Sequence, residues 1–188
     1  MEDTKVESDS ASMIRFVKDG AAPRSHDESI RSGGGWNPSV LKVSLKGMTD
    51  QVIHALVEMI NGGHAFHCSF IYATNNYLER RDLWAELGRF KSGIGDTSWM
   101  LLGDFNVTLS SDDSLGGLST ITRGMMEFRN CMEELEIEDV NSRGIFFTWI
   151  GKPHEDNGVL KKLDRVMGNS SLLANFPSCE YNIPPSWY

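Results

Sequence analysis

Cysteine is scarce in this 188-residue chain. The three cysteines, Cys68, Cys131 and Cys179, lie far apart, are odd in number and form no Cys-x-x-Cys pair. This pattern argues against a disulfide framework of the kind that holds small secreted domains together. We therefore expect a reduced, intracellular protein whose thiols are packed.

Long hydrophobic runs are also missing. The first residues, MEDTKVESDSASMIRF, lack both the basic start and the apolar core of a secretory signal, and no later apolar run approaches the length of a membrane span. The sequence therefore predicts a soluble protein with no membrane partner.

Positive charge is in deficit, because the net charge is -8. Between Asp96 and Asp139 ten acidic residues stand against only Arg123 and Arg129. A surface with this balance repels a phosphate backbone, which excludes a generic DNA-coating protein. Any nucleic-acid contact would depend on a bound cation or on the basic residues near the C-terminus, which are Lys152, Lys161, Lys162 and Arg165.

The length and the 40% hydrophobic content are those of one ordinary domain with a real core. Residues 1–35 are polar, carry charges of both signs and end in RSGGGW, so we interpret them as a flexible tail. The domain is then expected to occupy residues 36–188.

Four segments in the first half of that domain have recognisable patterns. VLKVSL alternates like a half-buried strand, AFHCSFIYA is typical of a strand, and QVIHALVEMI fits a helix and a strand equally well. NNYLERRDLWAELGRF predicts a helix with an Asn available as N-cap. Its apolar face would consist of Leu83, Trp84, Leu87 and Phe90.

The second half continues the alternation. Residues 99–102 predict a strand, a second helix is expected from about Thr122, and GIFFTWI and LDRVM predict further strands. The core positions of the second helix would be Met125, Phe128, Met132 and Leu135. Strands that alternate with helices indicate an α/β layered domain.

The segment GDFN ends the apolar run at 99–102 and offers two interpretations. At the rim of a sheet, Asp104 could act as a base or metal-linked carboxylate, and Asn106 could orient a water or hold a phosphoryl oxygen. Gly103 would permit the turn that brings them there. Taken alone, so short an Asp/Asn/Gly cluster is more often an Asx-type turn.

Two later segments are equally undecided when each is taken alone. Asp164 in KKLDRVM has Lys162 and Arg165 close by, so a carboxylate neutralised by a cation is favoured on spacing, whereas a functional role needs a partner such as His or Mg²⁺. Phe147 and Trp149 in FFTWI would point the same way on a strand, where core packing is the more frequent role.

The order of these segments is more specific than any one of them. A YA strand end, LLGDFN, a Gly-Gly loop followed by a helix, FTW and KLDRV occur in that sequence. In this the chain resembles the endonuclease/exonuclease/phosphatase superfamily, the fold of DNase I and of apurinic endonucleases. The resemblance is closest to the endonuclease domain of plant LINE-type retroelements and runs from about Trp36 to Phe176.

The resemblance implies part of a DNase I-like four-layered α/β sandwich with a Mg²⁺-dependent phosphodiesterase site. It implies that Asp104 positions or deprotonates the attacking water, that Asn106 helps to orient that water, and that Tyr72 contacts the scissile phosphate. Asp164 would hold a catalytic His in its correct tautomer. A nucleic-acid partner, DNA first, and a nuclear location are compatible with this family.

Two parts of the family pattern have no match. The Asn and the metal-binding Glu of its first strands have no counterpart before Trp36, and the closing Ser-Asp-His is due where this sequence reads NIPPSWY. The histidines His54, His64, His67 and His154 do not match its place. We therefore expect an incomplete, truncated domain with weak Mg²⁺ affinity, weak or lost turnover, and an exposed apolar face or strand edge.

Three functions remain open. The first is Mg²⁺-dependent hydrolysis of nucleic acid by an endonuclease-like site. The second is a catalytically inactive remnant that acts as a binding module or has no function. The third is a phosphatase for a small phosphorylated substrate, although nothing between Asn106 and Asp164 indicates a loop built for one.

Overall fold

A computed structural model describes residues 39–60, 62–116, 120–151 and 158–183 of the protein. The predicted tail at 1–35 lies outside these residues, as do Trp36 and His154. The domain boundary at residue 36 therefore stays a prediction.

The described residues form eleven strands, three α-helices and one short 3-10 helix. The strands are β1 (Leu41–Met48), β2 (Val52–Met59), β3 (Phe66–Tyr72), β4 (Trp99–Asp104), β5 (Ser114–Leu115), β6 (Ile137–Asp139), β7 (Asn141–Gly144), β8 (Trp149–Gly151), β9 (Val159–Lys161), β10 (Asp164–Asn169) and β11 (Glu180–Ile183). The helices are α1 (Arg80–Ile94), α2 (Arg123–Leu135) and α3 (Ser170–Asn175), and the 3-10 helix is Ser111–Asp113.

A six-stranded mixed sheet organises the molecule, with the strand order β1-β2-β3-β4-β10-β6. Strands β3 and β4 are parallel because α1 forms the crossover between them, and the other neighbours pair antiparallel. Strands β5, β9 and β8 form a second, small sheet, and β7 pairs with β11 in parallel. The α/β interpretation is confirmed.

Helices α1 and α2 cover one face of the six-stranded sheet. The Phe128 ring of α2 stacks on Trp84 of α1 at 5.3 Å and on Phe105 at 5.0 Å between ring centroids. Leu83 and Leu87 are fully buried beneath them. The predicted apolar faces of both helices are thus confirmed, since these residues belong to one continuous core cluster.

The opposite face of the sheet carries a second core cluster. Leu172 of α3 and Tyr181 and Ile183 of β11 cover its centre. Four apolar side chains at its margin are only partly buried, namely Leu41, Val43, Phe70 and Met100.

Among the helices that the structure describes, none is long and apolar enough to cross a membrane.

One ambiguity is settled and two local predictions change. The ambiguous segment around QVIHALVEMI is a strand, because it pairs antiparallel with β1 on one side and with β3 on the other. Helix α1 has Glu79 rather than an Asn at its N-cap, and no side chain caps it. The strand predicted for GIFFTWI begins only at Trp149, so Phe147 precedes β8 and does not share a strand face with Trp149.

Candidate functional site

Three polar side chains form a row across neighbouring strands. The register pairs Tyr72 of β3 with Asp104 of β4, and Asp104 with Asp164 of β10. Register partners project to the same face of a sheet, and adjacent strands lie about 4.8 Å apart. The three side chains therefore lie side by side on the face opposite α1 and α2, at the end of β4. We call them the carboxylate row.

Asp104 occupies the centre of the carboxylate row and is half-buried. Burial, and to a lesser extent the nearby charge of Asp164, raise the pKa of its carboxyl, which lies at about 6. The Asn106 N–H, which donates to Asp104 Oδ1 at 2.7 Å, and the charge of Arg80 lower the same pKa. A carboxylate with this pKa can accept a proton near neutral pH, as a general base must.

Among the described residues, Thr148 holds Asp164, and neither Lys162 nor Arg165 does. Thr148 Oγ1 accepts hydrogen bonds from the backbone N–H groups of Leu163 and Asp164, each at 3.0 Å. Burial raises the pKa of the Asp164 carboxyl, and a hydrogen bond with the Thr148 side chain partly lowers it.

Lys162 and Arg165, the cations close to Asp164 in the sequence, bind other carboxylates. Arg165 donates to Asp113 and, at 2.5 Å, to Asp139, and Lys162 donates to Asp139 at 3.1 Å. Successive strand residues point to opposite faces, so Arg165 lies across the sheet from Asp164. Neither of the two cations on which the cation-neutralised interpretation of Asp164 relied therefore neutralises it.

Asn106 is fixed beside the row in a left-handed backbone conformation, with φ of 50°. Asn tolerates this region better than most residues. Its Nδ2 donates to the Ala73 carbonyl at 2.6 Å, and its own carbonyl accepts from Arg80 at 3.1 Å. In the described part of the chain, Oδ1 of Asn106 has no hydrogen-bond partner and is the atom left for a water or ligand proton.

Gly103 lies within β4 rather than at a turn, which corrects the role we predicted for it. Its φ is 134°, and a Cβ there would come within 2.0 Å of the Ile71 carbonyl oxygen. Only glycine fits at this close approach of β3 to β4. It thereby sets the position of Asp104 beside Tyr72.

A cleft of about 360 Å³ borders Tyr72 and Asn106. Tyr72 is 65% exposed, so its phenol is free to reach a bound ligand. Gln51 orders the wall of the cleft because its side chain accepts from Thr74 N–H and donates to the Glu79 carbonyl, at 3.0 and 3.1 Å. The remaining lining residues are Asp50, Ala73 and Asn75.

The residues that hold the site together, chiefly Arg80, Thr148 and Gln51, were not among the predicted site residues. Arg80 and Gln51 are buried polar residues in segments with no special motif. Thr148 lies between Phe147 and Trp149 in the sequence. The only available signal was the position of Arg80 at the start of a helix that directly follows the YA strand end.

The described histidines lie away from the carboxylate row. His67 pairs in register with Trp99 at the opposite end of β4, and His54 contacts both His67 and Ser69 there, at 3.1 and 2.8 Å. His64 packs against Phe176. No group of three or more His, Cys, Asp or Glu residues that could hold a metal occurs within 39–60, 62–116, 120–151 and 158–183.

Several solved structures are similar to this chain. The endonuclease domain of TRAS1, a telomere-specific non-LTR retrotransposon, has a TM-score of 0.58 and 12% identity, over 71% of this chain and 58% of that one. Human Nocturnin has a TM-score of 0.41 and 14% identity, over 74% and 55% of the two chains. A beta toxin of Staphylococcus aureus has a TM-score of 0.46 and 15% identity, over 67% and 47%.

The chain thus spans less than two thirds of the length of each of these structures. No family model matches the sequence, and no curated protein matches it.

Proposed function

The chain has the DNase I-like fold, and from this premise we propose that it binds nucleic acid, DNA first, and hydrolyses a phosphodiester bond at the carboxylate row with low turnover. The observation that carries the proposal is the register that aligns Tyr72, Asp104 and Asp164 on three adjacent strands. An endonuclease domain of similar fold supports the choice of reaction class.

Each member of the site has a chemical role in this proposal. Asp104 accepts the proton of the attacking water, which its raised pKa of about 6 suits. Asn106 Oδ1 accepts the second hydrogen of that water and so orients it. The Tyr72 hydroxyl donates to a phosphate oxygen. Water oxygen then bonds to phosphorus, the bond to the leaving sugar oxygen breaks, and solvent protonates that oxygen.

Mg²⁺ dependence is part of the proposal, although the donor set is incomplete. The half-buried carboxylates of Asp104 and Asp164 repel an anionic phosphate. A bound Mg²⁺ would neutralise this negative charge. The part of the chain that the structure describes has no cluster of three metal-ligating side chains.

Low turnover is proposed because the row lacks an imidazole among its described neighbours. Asp164 hydrogen-bonds with Thr148, whereas His54 and His67 lie at the other end of β4. A positioned general acid or base typically contributes about 10²- to 10⁴-fold in rate. Asp104 supplies a base, but no described imidazole supplies a second such group, so hydrolysis should be slower by a factor of this order.

Binding without cleavage is a second candidate function, favoured by an aromatic and basic surface beside the row. The Trp149 ring is 43% exposed, and Lys161 Nζ lies 5.3 Å from its centroid. The two residues are paired across β8 and β9 next to Thr148. Exposed aromatic rings with neighbouring cations are typical surfaces for stacking unpaired bases.

The test is nicking of supercoiled plasmid and of an abasic-site duplex by the full chain, with and without Mg²⁺. Asp104→Asn is the test variant because it keeps the shape of the side chain but cannot accept the proton. Glu180→Gln is the matched control, since Glu180 is an exposed acidic residue that pairs with Arg143. We expect slow, Mg²⁺-dependent nicking by the wild type and the control, and none by Asp104→Asn.

Equal nicking by the wild type and Asp104→Asn would show that the activity is a contaminant, and would contradict hydrolysis at this row. DNA binding without nicking, weakened by Trp149→Ala, would favour the second candidate instead.

A further inference from the structure

Arg80 is a buried arginine that faces backbone carbonyls rather than a carboxylate. It is the first residue of α1 and is only 5% exposed. Its Nη1 donates to the carbonyls of Thr74 at 2.7 Å, Asn75 at 3.1 Å and Asn106 at 3.1 Å. Burying a guanidinium is costly unless its donors are bonded, so this arrangement specifies one geometry.

The three carbonyls belong to the two loops that form the site. Thr74 and Asn75 follow β3 and line the cleft, and Asn106 follows β4. One guanidinium nitrogen therefore joins the loop after Tyr72 to the loop after Asp104. The Asn106 Nδ2 bond to the Ala73 carbonyl joins the same loops at a second point.

Arg80 is close enough to the carboxylate row for its charge and that of Asp104 to affect each other's pKa. Burial lowers the pKa of its guanidinium, and the charges of Glu127 and Asp104 raise that pKa. Arg80 in turn favours the ionised form of Asp104, whereas the charge of Asp164 favours its protonated form.

The fold also leaves space for this guanidinium. A Cβ added at Gly124 of α2 would lie 3.1 Å from Arg80 Nη2, closer than ordinary packing allows. The next residue, Arg81, differs from Arg80 in both exposure and partner. Its side chain is 42% exposed and pairs with the Glu127 carboxylate at the surface. Two consecutive arginines thus occupy a buried and an exposed environment.

We propose that Arg80 is a positioning residue, which holds Asn106 in its left-handed conformation and so fixes Asn106 Oδ1 and Asp104 relative to Tyr72. This inference rests on the proposed function for its effect on catalysis. Its structural part concerns the order of the two loops and can be measured without activity.

The first measurement is amide hydrogen exchange at Asn106, whose N–H donates to Asp104 Oδ1, in the full chain. In Arg80→Met we expect exchange at Asn106 to be about 10- to 100-fold faster, because hydrogen bonds from a charged donor are lost. Amides in the centre of β4 should keep their wild-type rates. Arg81→Met, the matched control, should leave Asn106 unchanged.

The second measurement separates kcat from KM in the nicking assay. Misplacement of a water-orienting group should lower kcat by about 10²-fold while KM changes little. Arg81→Met should keep the wild-type kcat. A loss of stability alone would reduce the amount of active protein and accelerate exchange throughout the sheet. The exchange data distinguish this from a local effect, in which only the amides near Asn106 exchange faster.

If Arg80→Met does not fold, Gly124→Ala provides the same test in a milder form, because its methyl group displaces the guanidinium without removing it. Gly88→Ala is its control, since a Cβ there meets nothing within 4 Å. Unchanged exchange at Asn106 in the folded test variant would overturn the inference. If the wild type does not nick DNA, the proposed function fails, and the exchange result alone decides the role of Arg80.

Discussion

Two clusters of aspartates lie on opposite faces of β10, one beside Asp164 and one around its neighbour Arg165. In the first, Asp164 and Asp104 are register partners with a hydroxyl and backbone N–H groups as their hydrogen-bond partners. In the second, the fully buried Arg165 lies between Asp113 and Asp139. We call the second cluster the Arg165 cluster.

The contrast separates a stabilising arrangement from a functional one. In the Arg165 cluster each carboxylate faces a cation, so the network connects β6, β10 and the 3-10 helix. In the carboxylate row like charges face each other, and burial raises the pKa of both carboxyl groups. Groups held in an unfavourable ionisation state are typical of sites that bind or transform a ligand.

The largest predicted effect is the loss of the central cation from the Arg165 cluster. Arg165→Met should lower the free energy of unfolding by about 3–5 kcal/mol, because it leaves the buried Asp113 without a cation and leaves Asp139 with Lys162 alone. Urea denaturation measures this directly. Arg143→Met is the control, since the exposed Arg143–Glu180 pair should contribute less than about 1 kcal/mol. Equal effects would refute the stabilising role of the cluster.

A smaller loss is expected where β3 and β4 touch beneath the carboxylate row. Gly103→Ala places a methyl group 2.0 Å from the Ile71 carbonyl oxygen in a conformation that disfavours L-residues. We expect a destabilisation of about 2–4 kcal/mol in urea. Gly88→Ala in α1 should instead stabilise the fold by about 0.5–1 kcal/mol. A Gly103→Ala variant as stable as the wild type would contradict this account.

The fold was largely predictable from the sequence because its elements have clear periodicity and order. Helix α2 begins after Thr122 as predicted, with the Thr122 hydroxyl accepting from Met125 N–H at 3.2 Å. The DNase I-like fold itself is confirmed. The segment of β2 stayed ambiguous because a short apolar run fits both periodicities, and only its pairing with β1 and β3 decides between them.

The site was predictable only in part. The motifs supplied Tyr72, Asp104 and Asp164, and the register brings them together. Their catalytic roles stay predictions. The partners of Arg165 lie 26 and 52 residues away in the chain, so local spacing could not reveal them. Arg80 was missed for a similar reason, since one of its acceptors, Asn106, lies in another loop.

An intermediate effect is predicted at the centre of the carboxylate row. The folded-state pKa of Asp104, about 6, lies above its ordinary value of 3.8. Its contribution to stability is therefore greatest below about pH 4 and is lost as the pH rises to about 6. Asp104→Asn, which does not ionise, should be more stable than the wild type at pH 7.5 by about 1–2 kcal/mol after solvent screening.

Urea denaturation at pH 4 and pH 7.5 measures this difference, which should nearly vanish at the lower pH. Asp96→Asn, at an exposed aspartate, serves as the control. A wild type more stable than Asp104→Asn at pH 7.5 would mean that the row is neutralised like the Arg165 cluster.

The smallest effect is expected at Thr148, which precedes β8 and supports the carboxylate row. Thr148→Val keeps the volume but removes the acceptor of the Leu163 and Asp164 N–H groups, so we expect a loss of about 0.5–1.5 kcal/mol in urea. The pKa of Asp164, followed by carboxyl NMR, should rise because the Thr148 side chain now lowers it. Thr97→Val, at an exposed threonine, should change neither quantity. An unchanged Asp164 pKa would show that burial alone raises this pKa. The Thr148 hydroxyl would then not distinguish the carboxylate row from the Arg165 cluster.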